Sequence, residues 1–457
     1  MMQTGTWAEL ASARYAAPTG MFSIGIGLHA FNAFIASTTM PSAAVELDAV
    51  SLLSWATAGY LVASIVGGAA AAAVKVRFGA QAALLGASVA FVVGSILFGT
   101  AGAALPLVAG RVLQGAGEGV VMACCYMLIP EIFPKSLVPR VFALESVVWA
   151  AAALGGPLVA GAISEFASWR AAAMVSVPVS LVFMALVPLC TPRASGAERV
   201  AATLPLVQLG LVAAGVFLLS TCAGIANAWA AAFVLVAGCA ALVGAVAIDD
   251  RMSARLLPRG AFAMSHPVGA GLLLVLLMTL VEAPAAIYVA FLGAKVWGLG
   301  PLSAGFLSAI GAISWSFTAI AVSHMPRLSA AAHVRPAPLI LTAGLGLHVM
   351  ALIFESLAAA VAAQALVGVA FGFSWARLCE HVMSVAPDDE RDFAMGALPT
   401  VQSAGLSVGT ALFGAAAAWS GLRAHQTADE VVAVIAPLFA VAAAIAVAST
   451  IAARRAA

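Results

Sequence analysis

Three polar side chains interrupt one of the chain's apolar runs: Arg111, Gln114 and Glu118, within GRVLQGAGEGVV from Gly110 to Val121. A charged side chain at the centre of a helix in hydrocarbon costs roughly 2.5–3.5 kcal/mol even on lenient transfer scales. Arg111 and Glu118 are seven positions apart, so on a helix they project from nearly the same face, about two turns apart. Such a face must line a protein-enclosed cavity rather than lipid. The chemistry it offers is a proton- or substrate-linked charge site, in which Arg111 tunes a carboxylate that exchanges protons. The other reading is an internal ion pair that fixes helix packing. Gln114 reads as a positioning residue.

Further candidates lie on other apolar runs. His29 and Asn32 share a helix face at i, i+3; His29 is either a proton carrier, because imidazole titrates near neutrality, or a packing hydrogen bond. Glu282 lies deep in its run, in TLVEAPAAIY, with Pro284 placed to break the helix and free backbone carbonyls. Its alternative is a carboxylate reaching the outer interface beside Tyr288. Glu145 reads as an interfacial anchor or a partner for a loop arginine. Trp149, Trp315, Phe317, Phe371, Phe373 and Trp375 could wall a site for a planar ligand, or could pack against neighbours and lipid. Gly155, Gly156, Gly161, Gly405 and Gly409 read as close helix packing. The acidic segment Asp388–Asp392 reads as a solvated loop or as a salt-bridge latch between the bundles, and the loop 249–266 with Arg251, Arg255 and Arg259 as a basic anchor.

The elements that must position these groups are membrane helices. The 457 residues are 63% hydrophobic and 9% charged, with a mean hydropathy of +1.09, which is the composition of a polytopic membrane protein. About fourteen apolar runs are long enough to cross a hydrocarbon core as helices. The least distinct boundaries fall at Gly224–Asn227 and at Ser356. With the amino terminus cytoplasmic, all of the 20 Lys and Arg lie on the cytoplasmic side except Arg170, Lys295, Arg423 and the intramembrane Arg111. One miscounted span would spoil that asymmetry. No cleavable signal is expected, because the first apolar run is itself span-length. The net charge of +1 argues against a nucleic-acid partner. The six cysteines have no CxxC spacing and the seven histidines are scattered, so neither a metal site nor a disulfide framework is expected. A phosphate-binding GxxxxGK[ST] loop is missing, which removes a nucleotide-driven pump. No cofactor is implied, and the chain does not read as an enzyme.

A repeat organises the spans. RVLQGAGEGVVMA from Arg111 aligns with QALVGVAFGFSWA from Gln364, matching Gly115 to Gly368, Gly119 to Gly372, Ala123 to Ala376 and Pro134 to Pro387. Arg-x-Phe-Ala then recurs at Arg140 and Arg391. The plan is a cytoplasmic segment 1–20, a six-helix bundle 21–190, two inserted spans 203–248 and a second six-helix bundle 267–452, with Pro192–Ala202 as the boundary loop. Parallel repeats of this kind suit alternating access around a midplane site.

These motifs resemble the major facilitator superfamily, and most nearly its fourteen-span drug:proton antiporter branch. Gly110–Gly119 resembles the fourth-helix motif of that family, and Leu154–Gly161 with Trp169-Arg170 its Gly-Pro antiporter motif, through Gly156, Pro157 and Gly161. Leu299–Phe306 is similar to the branch's entry into the tenth span. Two departures stand out. Asn32 occupies the place of a usual first-span Asp, and Val76-Arg77-Phe78-Gly79 keeps the Arg and Gly of the loop motif but not its Asp. The resemblance implies a secondary transporter in a bacterial inner membrane, both termini cytoplasmic, exporting amphipathic compounds or drugs in exchange for protons. Arg111 would take the family's coupling role, and Glu118, where the motif has a small residue, would be the relocated proton site. The alternative is uptake of a planar metabolite, for example a vitamin such as riboflavin. Partners are a small-molecule substrate, protons and the bilayer, and a monomer is expected.

Overall fold

The computed structural model describes residues 5–47, 53–191, 204–222, 224–225, 227–325, 329–422 and 427–456. The boundary loop Pro192–Ala202, with Arg193 and Arg199, lies outside them, as do Arg327 and Arg423. The described residues form helices and turns with no strand. In chain order the first eight helices are α1 (Trp7–Leu10), α2 (Ala16–Glu46), α3 (Leu53–Phe78), α4 (Ala80–Gly99), α5 (Ala104–Ile132), α6 (Val138–Phe166), α7 (Trp169–Met174) and α8 (Ser176–Cys190). Next come α9 (Leu206–Cys222), α10 (Ala228–Asp249), α11 (Pro267–Lys295), α12 (Pro301–His324) and α13 (Ala330–Val334). The last are α14 (Ala337–Ile353), α15 (Leu357–Val385), α16 (Arg391–Trp419) and α17 (Ala428–Ala456).

Among the described residues, 13 helical stretches are long and apolar enough to cross a membrane, with α7–α8 and α13–α14 each counting as one span. The one remaining apolar run, seventh along the chain, yields α9, a helix of 17 residues and so about 25 Å long, at the short end of what spans a bilayer. The indistinct boundary at Ser356 is a real break. Glu355 turns the chain at φ +50°, and the Ser356 hydroxyl caps α15 by accepting from the Ala359 N–H.

The described contacts divide the chain into two compact units. One comprises Met1–Phe217, Ala241–Pro258 and Pro387–Thr400, the other Leu218–Ala240, Arg259–Ala386 and Val401–Ala457. In the first, α3 and α4 pack on α5, α2 on α6 and α8, and α4 on α8. In the second, α12 and α14 pack on α15, and α11 and α14 on α17, which repeats the order of pairings.

The aligned glycines explain the likeness. A Cβ at Gly115 would lie 2.2 Å from the Tyr60 carbonyl oxygen, and one at Gly119 2.0 Å from that of Ser64. In the second unit, Gly368 and Gly372 meet the carbonyl oxygens of Gly311 and Trp315 at 2.0 and 2.4 Å. Each pair thus seats one helix on two successive turns of its partner, where only a residue without a side chain fits. Gly119→Ala is therefore expected to cost about 1–3 kcal/mol or more and to lower the thermal midpoint of the purified protein. Gly161→Ala is the control, since a Cβ there meets nothing within 4 Å, and it leaves the midpoint unchanged.

One end of the first unit is tied by charge. Glu46 closes α2 and accepts from the Trp169 indole and the Arg170 guanidinium, both at 2.6 Å, while Arg170 also donates to the Ala101 carbonyl at 3.0 Å. The indole and guanidinium hold the Glu46 carboxyl below the ordinary carboxylate value. A depressed acid stabilises the fold above its unfolded value and loses that contribution as pH falls through the folded one. Amide exchange of 166–174 should therefore stay slow down through the ordinary carboxylate range and quicken only below it. Glu46→Gln should quicken it at neutral pH.

Candidate functional site

Glu118 is the middle residue of the 29-residue α5. Glycine and alanine leave the flanks of this helix flat enough for α3 and α4 to lie against it, which buries the polar face. Arg111, Gln114 and Glu118 are 3%, 0% and 3% exposed. The structure places between them a residue that the sequence does not single out. The Tyr60 hydroxyl, from α3, donates to Glu118 Oε2, and the Arg111 guanidinium lies 4.0 Å from the centre of the Tyr60 ring. Arg111 and Glu118 do not pair directly among the described residues. Their link is a desolvated cation–π contact, worth about 2 kcal/mol, followed by a hydrogen bond. A lone tyrosine in an apolar span is commonly an interface residue, which disguises Tyr60, and no sequence signal marks its seat opposite Gly115.

The other groups of this unit converge on the same point. His29 Nδ1 is 3.4 Å from Glu118 Oε2, and its ring meets the edge of Trp149 at 5.6 Å. Asn32, 2% exposed, lies beside the Tyr60 hydroxyl. Gln114 accepts from Arg111 at 2.7 Å and donates to the Ser95 hydroxyl at 2.9 Å, which fixes the guanidinium over the ring. Glu118 Oε1, Arg111 Nε and Asn32 Nδ2 are buried with no hydrogen-bond partner among the described residues. A cavity of about 10 Å³ beside Glu118 is lined by Gly25, Leu28, Ser88, Phe91, Val121 and Ser180, room for about one water.

The remaining acid and the second set of aromatics belong to the second unit. Glu282 sits on α11, which runs unbroken through Pro284, so the expected helix break does not occur. The reason lies on another helix: Pro284 cannot bond the Leu280 carbonyl, and Gly409 of α16 approaches so closely that a Cβ there would lie 2.2 Å from that oxygen. Glu282 makes no hydrogen bond or ion pair among the described residues. Tyr288 is not an interface aromatic; it is 8% exposed and donates to the Phe413 carbonyl at 3.2 Å. Trp315 stacks on Phe371 at 5.0 Å and meets Trp375 edge-on at 6.1 Å, while Phe373 packs on His333. Phe317 is 71% exposed, away from that cluster. Phe371 aligns with Glu118, so this unit has ring against ring where the first has hydroxyl against carboxylate.

The loop motif is rebuilt around a different cation. Gly79 turns the chain from α3 to α4 in one residue at φ +83°, a conformation that only glycine adopts freely. Arg77 is exposed, with its guanidinium 5.4 Å from the Phe78 ring centre. The buried cation is Lys75, which donates to Glu131 at 2.5 Å and to both oxygens of Asp392 at 2.7 Å. Nearby, Arg255 pairs with Glu390 at 2.6 Å. The segment 388–392 is therefore not a plain solvated loop: Asp392 helps to offset the desolvation of the buried Lys75, and Glu390 holds Arg255. In the antiporter-type motif, Gly156 admits Phe34 of α2, whose Cβ would be 2.7 Å from a Cβ at that glycine. Pro157 lies within the continuous α6, and Gly161 makes no such approach.

A sequence model of the Major Facilitator Superfamily matches residues 22–409. The chain belongs to that superfamily. A "Probable multidrug-efflux transporter" of Mycobacterium tuberculosis (strain H37Rv) is 31% identical over 442 residues, which cover 92% of this chain and 93% of that protein. The tetracenomycin C resistance and export protein of Streptomyces glaucescens is 25% identical over 62% of this chain and 53% of its own length. Among solved structures, the human organic anion transporter MFSD10 aligns with a TM-score of 0.66 at 13% identity, covering 94% of this chain and 98% of its own. The proton:xylose symporter XylE bound to 6-bromo-6-deoxy-D-glucose aligns at 0.65 and 16% identity, over 94% and 95%. The solved structures show the fold, and the superfamily match with the 31% identical relative makes the chain a multi-pass membrane transporter of small molecules rather than an enzyme.

Proposed function

We propose that the transporter exports amphipathic organic compounds by alternating access, driven by proton entry, with Glu118 as the carboxylate that takes up and releases the proton. The observation that carries this reading is the group built on Glu118: a buried acid held by the Tyr60 hydroxyl, with His29 at 3.4 Å and Arg111 on the far side of the tyrosine ring. Such a group can exist as an anion, stabilised by Tyr60 and His29, or as a neutral acid. Arg111 feels the difference across the Tyr60 ring and through its Coulomb interaction with Glu118, so the charge state of Glu118 and the fixing of α3 against α5 are coupled. The polar atoms still without partners here can take water or a bound compound. The efflux assignment leans on the export relatives named above.

In this reading the bundles 21–190 and 267–452 flank the inserted spans 203–248 along the chain, the membrane is a bacterial inner membrane, and both termini face the cytoplasm. Trp315, Phe371 and Trp375 offer stacking surface to an apolar part of the cargo, with Glu282 as the second unit's acid. Lys75, Arg77 and Gly79 form the gate. The test uses everted vesicles from cells overproducing the protein, with ethidium as the probe. Acidifying the lumen should drive ethidium uptake, and a protonophore should abolish it. Uptake that survives the protonophore refutes proton linkage.

A further inference from the structure

A second buried acid stands in the same unit as Glu118. Glu145 is 6% exposed on α6, seven residues from the start of the helix. It is not the interfacial anchor its position suggested: Tyr126 of α5, fully buried, donates its hydroxyl to Glu145 Oε1. The unit thus holds two carboxylate–tyrosine pairs, Glu118 with Tyr60 and Glu145 with Tyr126, and α5 contributes one member to each.

The two pairs are joined along the seam of α2 and α6. Glu145 lines a cavity of about 10 Å³ with Thr19, Phe22, Ser23 and Ile26 of α2, the size of about one water. One turn further along α6 is Trp149, and one turn from Ile26 on the same face of α2 is His29. Those two rings touch at 5.6 Å, and His29 reaches Glu118 at 3.4 Å. Gly25 lines the Glu118 cavity while lying against Cys125, the neighbour of Tyr126; a Cβ there would be 3.1 Å from the thiol. Glu118 stands at the middle of α5, whereas Tyr126 and Glu145 lie toward the connection 133–137. A proton travelling between Glu118 and that end of the unit passes the depth of Glu145.

We infer that Glu145, with Tyr126, is a second protonation centre and the relay through which Glu118 exchanges its proton with one face of the membrane, by way of His29. The inference rests on the proposed proton linkage. A proton leaving the Glu118 carboxyl is accepted by His29 and passed to the Glu145 carboxylate, so Glu118 becomes an anion as Glu145 becomes neutral. Tyr126 keeps its own proton and donates to Glu145 in either state. Tyr126 and Cys125 of α5 face Glu145, Thr19 and Ser23 of α2 line its cavity, and His29 is one turn away. On its own helix Arg140 lies five positions back, and on α7 Arg170 is held by Glu46 at the far end.

The experiment compares wild type with Glu118→Gln, Glu145→Gln and Glu145→Asp, as full-length protein in proteoliposomes. Three readouts are taken: ethidium flux driven by a pH gradient, ethidium equilibrium exchange at one pH, and infrared difference spectra of carboxyl protonation across a pH titration. Glu145→Gln should slow the gradient-driven flux about a hundredfold, leave exchange within about twofold, and remove one carboxyl signal. Glu145→Asp should restore most of the flux, and Glu118→Gln should remove a different signal. Wild-type flux and an unaltered spectrum in Glu145→Gln, with Glu118→Gln inactive, overturn the relay alone. Loss of exchange in Glu145→Gln that the aspartate does not rescue also overturns it, since Glu145 would then be structural. Gradient-driven flux that survives Glu118→Gln defeats the proton reading itself.

Discussion

Glu118→Gln is expected to abolish gradient-driven efflux, by about two to four orders of magnitude, while the protein still folds and reaches the membrane. Glutamine keeps the volume, and its carbonyl still accepts from Tyr60, so the packing of α3 on α5 survives. What it removes is the anion, and with it any uptake or release of a proton at the centre of the helix. A permanently neutral side chain resembles the protonated state, so equilibrium exchange of ethidium should persist while coupled flux does not. Thermal stability should hold or rise slightly, because a buried carboxylate no longer has to be compensated. Tyr60→Phe separates the parts. It deletes the donor to Glu118 but keeps the ring under Arg111, so the hydrogen-bonded part of the link is lost while both charges and their Coulomb attraction remain. A coupled flux in Glu118→Gln equal to wild type would leave the buried group purely structural.

The second large effect is expected at Lys75. Removing one partner of a buried ion pair costs about 3–5 kcal/mol when the other charge stays dry. Here the side chains of Glu131 and Asp392 are 39% and 31% exposed, so water screens them and a cost of about 1–2 kcal/mol is expected. Lys75→Asp does more, since it brings a third carboxylate against the two already there. It should lower the thermal midpoint and stop transport. Adding Asp392→Lys to Lys75→Asp returns a cation between the new carboxylate at position 75 and Glu131, and should recover most of both. Failure of the double variant to recover either property, with both singles impaired, would mean that the charges do not act on one another.

The membrane helices and the paired glycines were legible because they depend on properties local to each segment, run length and a glycine every fourth residue, although 13 helical stretches among the described residues are long enough to span against the fourteen expected. The polar face of α5 was legible for the same reason. Its surroundings were not. Periodicity says which face of α5 Glu118 occupies, but nothing in the periodicity of α3 says that Tyr60 lies opposite. Lys75 is hidden beside Arg77, which fits the loop motif yet is exposed. Glu145 looks interfacial because it lies near the start of its helix; what buries it is Tyr126 on α5, nineteen positions earlier. Pro284 has the character of a helix breaker, but a glycine from a distant helix covers the freed carbonyl. In each case the deciding partner lies on another helix, and sequence spacing carries no trace of it.

The polar helix also bears on how the chain is made. A span carrying Arg111, Gln114 and Glu118 is a poor candidate to enter lipid alone, at roughly 2.5–3.5 kcal/mol for each charge. Its partners His29, Tyr60 and Ser95 lie on α2, α3 and α4, all of which are synthesised before it. When α5 emerges from the translocation machinery, the side chains that accept its polar face are already in the bilayer. Synthesis from the amino terminus thus supplies the escort that α5 needs. The matching helix of the second unit has Gln364 and Phe371 in place of Arg111 and Glu118.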